Sequence, residues 1–165
     1  MSSPVIAAED PYTHIVFIKE WLQTGSFADS TYLGTAMYPP GFHALSGALA
    51  SDGGVDLYQW ALWFPIALAA VAIVGTFVLA NRLGGSAAGL AAALLVAGMP
   101  EHAFRTELFF PTALDLAVLP LFLLAFVLAC EASGRGAAAL FLVVAMPLAF
   151  AHPLAFPLFL VPPLC

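Results

Sequence analysis

The run from Trp60 to Ala80, WALWFPIALAAVAIVGTFVLA, decides the class of this chain. It holds no charged residue, and as a helix rising 1.5 Å per residue it covers roughly 30 Å, the thickness of a bilayer's hydrocarbon layer. Tyr58, Trp60 and Trp63 mark one interface, where amphipathic aromatic rings prefer to sit, and Asn81 with Arg82 marks the other. The composition agrees. The 165 residues are 62% apolar and 8% charged, with a mean hydropathy of +0.99, which excludes both a water-soluble globule and a disordered chain. Four Lys and Arg against ten Asp and Glu give a net charge of -6. No basic run exists to neutralise phosphates, so nucleic-acid binding is disfavoured. Strict apolar and polar alternation is absent, which argues against a membrane β-barrel. The two cysteines, Cys130 and Cys165, form neither a CxxC motif nor a disulfide framework.

Outward from this span, Leu83-Gly84-Gly85 has room only for a tight turn, and the small-residue run to Met99 must return across the membrane. Gly85 and Gly89 are spaced as GxxxG, which permits close helix contact, either with the first span or with a second copy. Pro100 ends that helix, and a polar loop follows to Phe110. Pro111 opens a further span to Cys130, with Asp115 near its start and Pro120 as a kink point. After the turn at Glu131 to Gly136 the chain is apolar to its end, interrupted by prolines. The expected fold is therefore an all-α membrane protein. About four transmembrane helices, near 60–80, 84–99, 112–130 and 137–151, form a bundle over 59–165 with a truncated fifth segment at 154–165. Two interfacial amphipathic helices occupy an N-terminal outer segment, 1–58.

Arg82 and Arg135 lie in the two very short turns, whereas Lys19 and Arg105 are diluted among acidic residues. Positive residues concentrate in short cytoplasmic loops, so segments 1–58, 100–111 and the region of His152 are expected outside the cell membrane. Translocating 1–58 requires a signal that these residues do not contain, and the chain stops inside an apolar run. A fragment of a larger multi-pass protein is expected on both counts.

Chemistry-bearing residues gather on that outer side. Glu9-Asp10-Pro11-Tyr12-Thr13-His14 leads into a stretch with Ile15, Phe17, Ile18, Trp21 and Leu22 on one face and Lys19, Glu20 and Gln23 on the other, the pattern of a helix lying in the interface. Asp10 before Pro11 spells a helix cap, and the same two adjacent carboxylates suit a divalent cation such as Mg or Mn, or the removal of a proton from a hydroxyl. Both readings stand together. His14 lies one turn from Asp10. Tyr38-Pro39-Pro40-Gly41-Phe42-His43 reads as a rigid turn launching a second short helix to about Ala50, on which His43 is either a packing histidine or a contact to an anionic headgroup. The loop at Glu101, His102, Arg105 and Glu107 is either simply solvated or a phosphate grip, since a guanidinium binds phosphate bidentately. His152 completes the set. Asp115 is either an intramembrane functional carboxylate or a helix-start residue. No GxxxxGK[ST], GxSxG or HExxH motif is present, and the spans lack midplane charges, which weakens an ion-coupled transporter.

The order of these features resembles the N-terminal part of the GT-C superfamily: Glu9-Asp10-x-Tyr12-x-His14, an interfacial helix ending at Gly25, Tyr38-Pro39-Pro40-Gly41-Phe42-His43, a paired-span hairpin, then an acidic outer loop at Glu101. These are multispanning glycosyltransferases that use polyprenyl-phosphate-linked sugars, among them protein mannosyltransferases and the catalytic oligosaccharyltransferase subunit. The resemblance covers most of residues 8–155. It implies transfer of a sugar from a polyprenyl-phosphate donor to a glycan or protein acceptor on the extracytoplasmic side. By the same resemblance Asp10, with Glu9, matches the family's first acidic motif and Glu101 the second, as catalytic acids and metal ligands. His14, His43, His102, Arg105 and His152 become substrate-binding candidates. The sequence departs from the family in having no helix before Glu9, in an adjacent rather than spaced acidic pair, and in ending before the later helices. The isolated chain is accordingly expected to be incomplete as an enzyme. The competing expectation is a non-catalytic bundle: a lipid-linked substrate binder, a transporter fragment or a scaffold subunit. In that case the Glu9-Asp10 and Glu101-His102 segments lie far apart.

Overall fold

In a computed structural model, residues 9–26, 40–99 and 109–131 are described, with Gly136, Ala139 and Val143 as single helical positions. Every described element is a helix: α1 Glu9–Thr24, α2 Gly41–Asp52, α3 Leu57–Gly98 and α4 Pro111–Glu131. The expected interfacial helices correspond to α1 and α2. Helix α1 begins at Glu9, so Asp10 lies inside the first turn and not just ahead of it. Pro11 is also in that turn, where its missing N–H costs no helical bond. The helix stops at Gly25, whose positive φ of 70° suits a residue without a Cβ and whose N–H donates to the Trp21 carbonyl at 2.7 Å.

Helix α2 buries Phe42, His43, Ser46, Gly47 and Ala50, a stripe at helical spacing. Gly47 lets α1 come close. A Cβ there would stand 2.7 Å from the Trp21 ring and 3.0 Å from Ile18. After the Gly53-Gly54 turn, Asp56 caps α3 by accepting from the N–H groups of Tyr58 at 2.9 Å and Gln59 at 3.3 Å.

Among the described residues two helices, α3 and α4, are long and apolar enough to cross a membrane, against the four expected for the whole chain. The expected spans at 137–151 and 154–165 lie outside the described residues apart from Ala139 and Val143. Of the other three, 112–130 corresponds to α4, while 60–80 and 84–99 are joined within α3, which is interrupted at Gly85 by a non-helical φ of 80° and ψ of 177°. Beyond that point the chain doubles back: a Cβ on Gly89 would lie 3.0 Å from the Phe77 carbonyl and 3.2 Å from the Asn81 amide nitrogen. Twelve residues of straight helix would keep Phe77 and Gly89 roughly 18 Å apart. The GxxxG glycines thus serve a turn and a contact within the chain. The second arm, Ser86 to Gly98, is roughly 20 Å long and by itself falls short of the hydrocarbon layer.

The first arm of α3 packs along α4. Ala61, Phe64, Leu68, Ala72 and Gly75 form its buried stripe, and Gly75 brings the helices together opposite Pro120 and Leu121. Arg82 and Glu131 form an ion pair at the far end of the two helices. Only 28% of each apolar stretch is buried within the fold, whereas the core helix of a soluble protein is mostly buried. Trp63 and Leu95 stay 67% and 70% exposed, the condition of side chains whose solvent is lipid.

Candidate functional site

The best-defined polar feature sits where α1, α2 and the start of α4 meet. On α1 the buried face runs through Pro11, His14, Ile15 and Ile18, at the i, i+3, i+4, i+7 spacing of a helix stripe. On α2 it runs through Phe42, His43 and Ser46. Both histidines therefore point inward with the apolar residues, and they meet: His14 Nδ1 lies 2.9 Å from His43 Nε2. Their residues are 2% and 0% exposed.

Such a contact requires one ring to donate its N–H and the other to accept, so the pair tolerates one extra proton at most. The surroundings set which state holds. Phe17 stands edge-on to His43 with centroids 4.6 Å apart, Phe42 and Phe110 stand edge-on to His14 at 6.1 and 5.9 Å, and Phe42 packs on Phe109 at 4.9 Å. This cage is apolar. Burial, and then the neighbouring His14, push the His43 imidazole down from its ordinary 6.5 to about 3. His43 is thus neutral at physiological pH. Ser46, one turn further along α2, is fully buried, and its hydroxyl makes no hydrogen bond among the described residues.

The two contacts between α1 and α2 advance together, from His14 with His43 to Ile18 and Trp21 with Gly47. The helices therefore run side by side in the same direction. Lys19 adds a link to α3, with its ammonium 4.2 Å from the centre of the Tyr58 ring. Both of these ties anchor α1 to the bundle.

Of the residues singled out from the sequence, the structure brings His14 and His43 together and buries both. Glu9 and Asp10 are placed by their backbone in the first turn of α1, Asp10 four residues before His14. Glu101, His102, Arg105 and His152 lie outside the described residues. Asp115 sits one turn into α4 and is half-buried. Among the described residues no three His, Cys, Asp or Glu side chains gather to hold a metal ion. The facing nitrogens of His14 and His43 are already engaged with each other. What the sequence reading missed was the pairing itself and its cage of Phe17, Phe42 and Phe110. A signal existed, since each histidine falls on the apolar stripe of its own helix, where a polar ring has to find a partner.

The sequence model of the family described as oligosaccharyl transferase STT3, N-terminal, matches residues 11–155. No curated protein and no solved structure matches the chain.

Proposed function

The chain belongs to the oligosaccharyl transferase STT3 N-terminal family, and from that premise we propose that it is the N-terminal part of an integral-membrane glycosyltransferase that moves a sugar from a polyprenyl-phosphate donor to a glycan or protein acceptor on the extracytoplasmic side of the cell membrane. That it is a membrane protein of a glycosyltransferase family follows from the family match and from two membrane-compatible helices. The GT-C resemblance of its N-terminal motifs points the same way. The donor, the acceptor, the side of the membrane and the multi-pass topology are parts of the proposal.

The observation that carries it is the family match, which takes in α1 from Pro11, the helix whose first turn holds Glu9 and Asp10. In the proposed reaction Asp10 takes the proton from an acceptor hydroxyl as its oxygen attacks the sugar C1. The bond from C1 to the phosphate oxygen breaks, and polyprenyl phosphate leaves with the electron pair. Glu9 and Glu101 support Asp10. Arg105, with His102 and His152, is assigned to the departing phosphate, where developing negative charge favours a fixed cation. The carboxylates are also hard oxygen ligands of the kind Mg or Mn takes, and a divalent cation is assigned to them.

Replacing Asp10 tests this directly. With the full-length parent enzyme in its membrane and a labelled polyprenyl-phosphate sugar, Asp10→Asn is expected to slow transfer by about a hundredfold or more. Transfer at the normal rate would overturn the assignment.

A further inference from the structure

We infer that the His14–His43 hydrogen bond is a positioning device that sets the rotation of α1 about its own axis, and with it the placement of the helix turn carrying Glu9 and Asp10. The inference rests on the proposed function for its catalytic consequence, but its structural half stands apart.

Three observations carry it. First, His14 is four residues after Asp10, so the two positions share one face of α1. Turning His14 about the helix axis turns Asp10 by the same angle. Second, the core contacts of α1 at Ile15, Ile18 and Trp21 are apolar: Ile15 and Ile18 lie in the core cluster, and Ile18 and Trp21 meet Gly47. Apolar burial holds two helices together but is non-directional, so it fixes their separation better than their rotation. The bond from His14 Nδ1 to His43 Nε2, at 2.9 Å between fully enclosed rings, is directional and is broken by a small rotation of either helix. Third, α2 is itself held in the bundle, with Phe42 packed on Phe64 and Phe109, so His43 offers α1 a fixed reference. His14 and His43 are positioning residues on this account. Their enclosure leaves them against packed helices and not against an open mouth where a phosphate arrives.

The test uses the full-length parent enzyme reconstituted in bilayer nanodiscs. His43→Phe suits the aromatic cage but cannot bond to His14. His43→Gln places an amide nitrogen near the position of Nε2 and can donate to His14 Nδ1. His14→Phe with His43→Phe removes both imidazoles together, so neither is left buried without the other, and this variant is expected to fold. Spin labels at the exposed positions Tyr12 and Leu62 report the placement of α1 against α3. His43→Phe and the double variant are expected to broaden or shift the label distance distribution, and His43→Gln to restore it. Transfer is expected to fall about tenfold in His43→Phe and in the double variant and to recover with His43→Gln, since a small misplacement of a reacting group is costly. A distance distribution unchanged in the folded double variant overturns the inference whatever the activity. Unaltered transfer in that variant, where Asp10→Asn has abolished it, also overturns the inference and leaves the proposed function standing. Normal transfer in Asp10→Asn overturns the proposed function alone, because the label distances still judge the pair.

Discussion

Arg82, three residues before the turn at Gly85, donates to the carboxylate of Glu131 in the last turn of α4. The pair ties the first arm of α3 to α4 at the end of the bundle remote from α1 and α2. Both side chains are about half exposed, at 52% and 46%. Such exposure limits what an ion pair contributes, because water and salt screen it.

Arg82→Ala and Glu131→Ala are therefore each expected to lower stability by about 1 kcal/mol or less. The exchange Arg82→Glu with Glu131→Arg is expected to recover most of it. Thermal unfolding in nanodiscs at low and high salt checks this. A loss above about 3 kcal/mol for either single change, the size seen when a buried pair is broken, would show that the pair is shielded from solvent.

Acid is expected to loosen the packing of α1 on α2. His43 is held at about 3 in the fold, against an ordinary 6.5, so between those values the unfolded chain binds a proton that the folded chain does not. Stability then rises with pH across this window. The contribution is complete above about pH 6.5 and is lost as the pH falls from there toward 3. Its size is on the order of a few kcal/mol, since one unit corresponds to about 1.4 kcal/mol. The ionisable groups on the packed helices include Glu9, Asp10, Tyr12, His14, Lys19 and Glu20 on α1, Asp52 on α2, and Asp115 and Glu131 on α4. Unfolding measured from pH 7.5 to 4.5 should show the slope, and His43→Phe should flatten it. An equal slope in His43→Phe would assign it to another group.

The hairpin in α3 depends on two glycines for different reasons. Gly85 adopts φ 80° and ψ 177°, a region that side chains with a Cβ avoid, so Gly85→Val is expected to cost about 1 to 3 kcal/mol. Gly89 is needed for space, because its missing Cβ faces the backbone at Phe77 and Asn81, which cannot give way as a flexible side chain does. Gly89→Leu is expected to open the hairpin at a cost of about 1 to 3 kcal/mol. Gly98, with open space around it, is the control, and Gly98→Ala should change stability by less than about 0.5 kcal/mol. Label distances between the exposed positions Val78 and Leu90 and thermal unfolding separate the three.

The glycosyltransferase proposal requires that the first turn of α1 and the loop at Glu101 share one external mouth. A disulfide between cysteines placed at positions 10 and 101 is expected to form in intact membranes. Both positions are expected to react with a membrane-impermeant reagent from the extracytoplasmic side. Labelling from opposite sides would leave the non-catalytic bundle.

Much of the architecture was legible because lipid imposes simple local rules. Each spanning segment must satisfy its own backbone and present an apolar surface, so span, turn and interface are written in consecutive residues such as Trp60 to Ala80 and the Gly84-Gly85 pair. The amphipathic stripes of α1 and α2 were legible for the same reason, since helical periodicity depends only on spacing. The short motifs around Glu9-Asp10 and Tyr38 to His43 were enough to indicate the superfamily.

The contacts between elements were decided by the tertiary structure. His14 and His43 are 29 residues apart, and nothing in their flanking residues names one as the other's partner. The same holds for Lys19 with Tyr58 and for Arg82 with Glu131. A hydrogen bond or ion pair needs two groups brought within about 3 to 4 Å, and that approach follows from how the apolar faces close on one another. The sequence by itself therefore determined which surfaces would be buried. Only their packing determined that two buried imidazoles would face each other and share one hydrogen bond.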